Sequence, residues 1–354
     1  MHCWAMRFPL GPAAVLCWLL LAGIASGGHS RQPPSSALPA VNQNPSAQEA
    51  GTVHLKFLRA FSGAEDVRRE MHPIADRSLD IVAGPADPHV RVDKLKTPRS
   101  VATDGAHRVF VTDAEAGVVH VFDFAQSTYA VLDNRGSGMR SPADIALDRA
   151  GRAYVTDSAL DAVLVFDGKG KFLRYLGKGE GSETYFQAPL GIALDAGGQV
   201  YVCDSRRHMI LVLDRKGRIK GHIGKRGGGK EPGEFRYPSR IAIAGDELFV
   251  LDSGNTRVEV LELGGHFRRE VRLPEADQDD GLAVDQNKNL YVGDGQINVI
   301  NVFDREGRFL YKFGRAGTKG GEFNQPAGMW VEPGNRLFVA DSGNQRVQEF
   351  EIEK

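Results

Sequence analysis

The chain has 354 residues, 42% of them hydrophobic, with 42 glycines and a formal net charge of −1. That is ample apolar material for a large core, and the lack of a basic excess argues against a nucleic-acid binder. Length alone leaves one to three domains open, since regular all-β folds often fill this span as one unit.

The N-terminus has the pattern of a secretion signal over residues 1–25: Arg7, then an apolar run over 10–24 broken by Pro12, then the small residues of Gly23-Ile24-Ala25. A retained anchor over 8–25 is the competing reading, because that stretch is near the lower length limit for a span. The small-residue ending favours cleavage. Val15-Leu16 before Cys17 are too bulky for a lipoprotein signal. Cleavage removes Arg7, Cys3 and Cys17, leaving a net charge of −2, a single cysteine at Cys203 and no internal disulfide. The protein is then expected in the periplasm or outside the cell. Residues 26–52, with Pro33-Pro34, Pro39 and Pro45 among Ser, Ala, Gln and Asn, offer little to bury and read as a disordered linker.

From residue 53 onward one unit recurs. Its first segment begins at Pro98, Pro142, Pro189, Pro238, Asp279 and Pro326; its second ends at Asp113, Asp157, Asp204, Asp252, Asp294 and Asp341. The separation is fifteen residues in five units and fourteen in the fourth. The third segment ends ten residues later in every unit, at Asp123, Asp167, Asp214, Glu262, Asp304 and Glu351. All remaining length variation falls in the loop before the next unit, so a rigid core with variable loops on one side is predicted. The apolar runs, such as Leu290-Tyr291-Val292, are β-branched and aromatic. Turns such as Asp148-Arg-Ala-Gly151 and Asp214-Arg-Lys-Gly217 pair an aspartate that can bond its own turn with a glycine that supplies positive φ. Four-stranded antiparallel units of this length are propeller blades. The sixth unit stops without a fourth strand. Residues 53–61 supply one at the other end, so the N-terminal strand is predicted to complete the last blade and close the ring.

Asp252-Ser-Gly-Asn-Thr-Arg-Val258 and Asp341-Ser-Gly-Asn-Gln-Arg-Val347, with Gly-Glu-Phe before Pro238 and Pro326, resemble the NHL repeat. The resemblance covers 53–354 and implies an all-β fold, a six-bladed β-propeller of NHL type. Asn255, Arg257, Asn344 and Arg346 then read as holding turns and neighbouring blades rather than ligand. The segment 62–97 is an insertion before the first complete blade. Within it 78–83 and 89–93 look like short strands, which either cover the channel mouth or form an added edge.

Ligands of propellers gather at the channel mouth, beside the opening residue of each unit. Four charged side chains fall there: Arg99, Asp144, Arg240 and Asp280. They form either a ligand site or structural ion pairs around a wet channel. No catalytic residue is assigned. The amidating lyases that act on peptidyl-hydroxyglycine use a similar propeller and hold zinc through histidines at the starts of inner strands. This chain has none there, and His54, His120, His208, His222 and His266 fall elsewhere without ligand spacing. Calcium-dependent propeller lactonases need several carboxylate oxygens at the mouth, where Asp144 and Asp280 supply two. No metal or cofactor is therefore predicted; zinc or calcium would belong to the enzyme alternative. Gly227-Gly228-Gly229-Lys230 lacks the spacing of a phosphate loop and reads as a flexible loop, and Cys203 reads as a packing residue. The expected function is a monomeric, non-catalytic scaffold for a protein, peptide or glycan. The alternative is a metal-dependent lyase or hydrolase.

Overall fold

The computed structural model describes residues 53–69, 93–132, 134–177, 184–274 and 279–353. The leader and linker over 1–52, and residues 70–92 of the insertion with the strand at 78–83 and all but the last residue of 89–93, lie outside the described residues. Six strands start the blades: Pro98–Thr103, Pro142–Leu147, Pro189–Leu194, Pro238–Ala244, Asp279–Val284 and Pro326–Glu332. Each opens a four-stranded antiparallel sheet and touches the corresponding strand of both neighbouring blades. The result is a closed six-bladed β-propeller. The core is distributed over six apolar clusters, one at each seam between blades.

The repeated residues act as expected. Asp148 Oδ1 accepts from Ala150 N (2.9 Å) and Arg152 N (3.0 Å), with Gly151 at φ +74°. Lys216 N and Arg218 N make the same bonds to Asp214 Oδ1. The fourteen-residue spacing in blade four has a simple cause. Ile243 pairs with Leu248 across four residues, ending in the two-residue turn between Ala244 and Glu247, whereas the equivalent Leu147 and Ala153 span five. Gly245 sits at φ +64° in that turn.

The ring is closed by His54–Phe61, which pairs antiparallel with Arg346–Glu353, Leu55 opposite Ile352 and Phe61 opposite Val347. A bulge at Leu58 shifts the register between Phe57 and Arg59. Arg59 Nε and Arg336 Nη1 both donate to the buried Glu349, at 2.5 and 2.8 Å. The start of the insertion is anchored at the same seam. A short helix, Ala64–Arg69, puts Val67 beside Phe61 and Leu95 in the cluster shared by blades six and one.

Blades four and six carry a loop clamp. Arg257 Nε donates to Asp252 (3.0 Å), while its Nη atoms reach the carbonyls of Lys230 (3.0 Å) and Glu234 (2.8 Å). Arg346 repeats this on Asp341, Thr318 and Glu322. Asn255 and Asn344 donate to the carbonyls of Gly229 and Gly317. These four residues hold the loops leading into the inner strands, and the glycine run 227–229 is fastened through its last carbonyl.

A buried polar side chain occupies one slot of the third strand in four blades: His120, Glu259, Asn301 and Gln348. Gln348 Nε2 donates to Asp341 Oδ2 (2.9 Å). Asn301 is one methylene shorter, and its amide atoms, like Asp294 Oδ2, find no partner among the described residues. Glu259 accepts from Gly233 N and lies 2.7 Å from Arg257 Nη2.

Two predictions follow from these contacts. Deleting residues 53–61 removes the buried Leu55 and Phe61 and uncovers the edge of Arg346–Glu353; the loss should exceed about 5 kcal/mol, comparable to the stability of a whole domain. An unchanged melting temperature would refute closure by this strand. The second concerns Glu259. Burial pushes its carboxyl up to about 7 from the usual 4.5, against the pull of Arg257 and the Gly233 N–H. The native state therefore binds this proton more tightly than the unfolded chain, so the contribution is complete below pH 4.5 and lost as pH rises to about 7. Glu259→Gln, which copies Gln348, should raise the melting temperature at pH 8, by on the order of 2 kcal/mol in stability, and change it little at pH 5. A larger effect at acid pH than at pH 8 would contradict this.

Candidate functional site

The six inner strands enclose a central cavity of about 130 Å³. Its walls are largely aliphatic, including Ile145, Ile192, Ile241, Leu282 and Met329. Ser100, Asp144, Arg240 and Gly328 mark its end nearest the lead-in loops, and Trp330, whose Nε1 donates to Thr103 Oγ1 (3.0 Å), lies towards the other.

Asp144 of blade two and Arg240 of blade four meet across this mouth, each 7% exposed, with Arg240 Nη1 3.8 Å from Asp144 Oδ2. The carboxylate is held from three blades. Ser100 Oγ donates to Oδ1 (2.5 Å), Ile145 N to the same oxygen (2.9 Å), and Ile192 N to Oδ2 (3.1 Å). Arg240 also donates through Nη2 to the Arg99 carbonyl (3.0 Å) and through Nη1 to the Ala143 carbonyl (3.3 Å). Burial raises the Asp144 pKa, with Arg240 and Ser100 opposing it. Buried charges are tolerated when paired and hydrogen-bonded in this way. The pair is a polar plug tying blades one to four.

Of the four charged residues predicted at the mouth, Asp144 and Arg240 come together. Arg99 enters the plug through its backbone carbonyl, with its side chain half-buried. Asp280 lies in the strand Asp279–Val284, and its side chain is outside the described residues. Sequence reasoning missed Ser100 and Ile192, which hold the carboxylate, and Thr156, whose Oγ1 accepts from Asp144 N (3.0 Å) and donates to the Leu190 carbonyl (2.5 Å). A hydroxyl repeated at Thr112 and Thr156 was the available signal. Cys203 is buried beside the plug, where burial and then the Asp144 charge push its thiol well up. That makes it a poor nucleophile.

A metal does not fit this constellation. The Asp144 oxygens are committed to Ser100 and two N–H groups, with a guanidinium alongside. Among the described residues no three His, Cys, Asp or Glu side chains are gathered as metal ligands.

A second cavity, of about 620 Å³, opens at the other face over the seam of blades six and one, between the Leu58 bulge, Phe124 and Arg336. Arg59 lies 3.8 Å over the Phe124 ring there.

Residues 190–294 match a family described as a 6-bladed beta-propeller, and residues 323–350 match the NHL repeat. The chain is a six-bladed β-propeller that carries an NHL-repeat match over residues 323–350. No curated protein matches it significantly in sequence. Among solved structures, the propeller is similar to a streptogramin B lyase (TM-score 0.55, 13% identity, covering 73% of this chain and 94% of that one). It is also similar to a virginiamycin B lyase from Staphylococcus aureus determined with quinupristin (0.53, 17%, 72% and 83%). A gluconolactonase from Xanthomonas campestris gives 0.57 at 16% identity, covering 73% and 87%. At these identities the likeness is one of fold.

If the plug is structural, Arg240→Met should destabilise the propeller by about 3–5 kcal/mol by leaving Asp144 buried without its counter-charge. Arg240→Met combined with Asp144→Leu should recover most of that loss. Urea unfolding of the single and double variants measures both, and equal losses in the two would refute the pairing.

Proposed function

We propose that this NHL propeller is a non-catalytic recognition scaffold, binding a protein, peptide or glycan across the face where its lead-in loops gather. The observation that carries this reading is the plug. The two described charges best placed to meet a substrate at the channel mouth are buried and spent on each other and on backbone groups. The loops of blades four and six are fixed in advance by the Arg257 and Arg346 clamps, and a preorganised surface loses less entropy on binding. The leader pattern over 1–25 supports a protein working in the periplasm or outside the cell.

A second reading, a metal-dependent lyase or hydrolase, is favoured by the lyases and the gluconolactonase among the structural neighbours. It would need ligands that the described residues do not gather.

The full chain, purified and dialysed without chelator, should carry no stoichiometric zinc or calcium and should not open a simple lactone faster than buffer. A tightly held ion on every chain together with turnover would replace the scaffold with the enzyme.

A further inference from the structure

We propose that the loop-bearing face over the seam of blades three and four docks a carboxylate-bearing polysaccharide. This rests on the scaffold reading and narrows it to a ligand class and a place.

Two tyrosines are presented there. Tyr185, in the loop leading into blade three, is 39% exposed, and Tyr237, just before the inner strand of blade four, is 49% exposed. They are joined by the turn after Asp204. Arg207 donates to the Tyr185 carbonyl, and His208 Nδ1 accepts from Tyr237 N (3.0 Å). The His208 and Tyr237 rings meet edge to face at 4.4 Å. A Cβ at Gly228 would lie 3.1 Å from the His208 ring, so the glycine run of the blade-four loop is pressed against the same turn. The platform is therefore continuous and held from both blades.

Its exposed charge is mostly positive, with Glu231 beside Lys230 as the exposed carboxylate of the blade-four loop. Arg206, Arg226 and Arg236 are exposed, and none is paired with a carboxylate among the described residues. Their neighbours Arg207 and Lys225 are instead neutralised by Asp204 and Glu234. Three exposed arginines on the same turn and loops as the two tyrosines, in a chain of net charge −1, form a local excess suited to an anion with apolar faces. Guanidinium binds carboxylate through two parallel hydrogen bonds, and tyrosine supplies a rigid amphipathic contact surface.

The backbone decides between a sugar and a peptide. Around this patch the Arg236 N–H is held by Asp252 and the Tyr237 N–H by His208, while the Gly229 and Glu234 carbonyls are taken by Asn255 and Arg257. A peptide that docks by adding its main chain finds those groups used. An acidic glycan needs only the carboxylate partners and ring faces that remain exposed.

The test is the affinity of the full chain for polygalacturonate fragments, by calorimetry at two salt concentrations, with a neutral galactan and polyglutamate as controls. Polygalacturonate should bind more tightly than either control and weaken as salt rises. Arg206→Ala combined with Arg236→Ala should lower affinity at least about tenfold, and Tyr237→Ala should lower it severalfold. Both should melt as the parent does. Ala188 already occupies the position equivalent to Tyr237 at φ +54°, so that exchange fits the backbone. Equal binding of galactan, or unchanged affinity in the variants, overturns the proposal. Preference for polyglutamate overturns the sugar and leaves the scaffold standing. Only a bound metal with turnover, in the separate assay above, would remove the scaffold as well.

Discussion

A buried carboxylate at the end of the second strand holds five of the six blades to the loop that leads into them. Asp113 accepts from Lys96 N and Thr97 N, Asp157 from Arg140 N and Ser141 N, and Asp204, Asp252 and Asp341 from the N–H of Gln187, Arg236 and Asn324. Asp294 bonds its own turn through Gln296 N and Ile297 N, as Asp157 does through Ala159 N and Leu160 N, and the loop before its blade lies partly outside the described residues. These loops vary in length, and without such anchors their backbone N–H groups would be buried unsatisfied where they pass over the sheet. The constant distance from this aspartate to the third segment, against the variable distance to the next blade, is the sequence trace of that constraint.

The anchor also sets up contacts between blades. The residue before three of the inner-strand prolines takes a left-handed conformation, at Ala188, Tyr237 and Gln325. Its N–H is accepted by a side chain from the preceding blade: Asp161, His208 and Asn298. Those acceptors are themselves left-handed turn residues. A chemically varied set thus performs one geometric task. Nothing in the spelling of Asp, His and Asn at these turns announces a shared role, which is why the sequence shows the turns and hides the staples. The seam of blades three and four is the place where this staple is built from two rings.

Much of the fold was legible because propeller blades repeat. Six copies at one spacing leave little freedom in strand order, and the missing fourth strand of the last blade had one apolar candidate, residues 53–61. The turn aspartates and the Asn255, Arg257, Asn344 and Arg346 clamp were readable for the same reason: their chemistry is local. The plug was not. Asp144 and Arg240 stood out as charges at strand starts, but their meeting skips a blade and depends on side-chain reach across the channel. Ser100 and Thr156 gave weaker signals still, because a hydroxyl in a strand is unremarkable until its partner is known. The bulge at Leu58 left no trace, since an extra residue in an isolated strand disturbs no repeat.

Placing function on this fold turns on where its polar groups are spent. At the channel mouth they are consumed internally, as Asp144, Arg240 and the carbonyls of Arg99 and Ala143 satisfy one another. Breaking that set to admit a substrate would leave a buried charge uncompensated, a cost of several kcal/mol. At the rim the reverse holds. The backbone is consumed by clamps and staples, and the side chains of Arg206, Arg226 and Arg236 are exposed. A ring that pairs charges at its mouth and presents arginines at its rim suits the recognition surface proposed above. The similar lyases and lactonase share the ring, and a shared ring leaves the chemistry at its mouth undetermined.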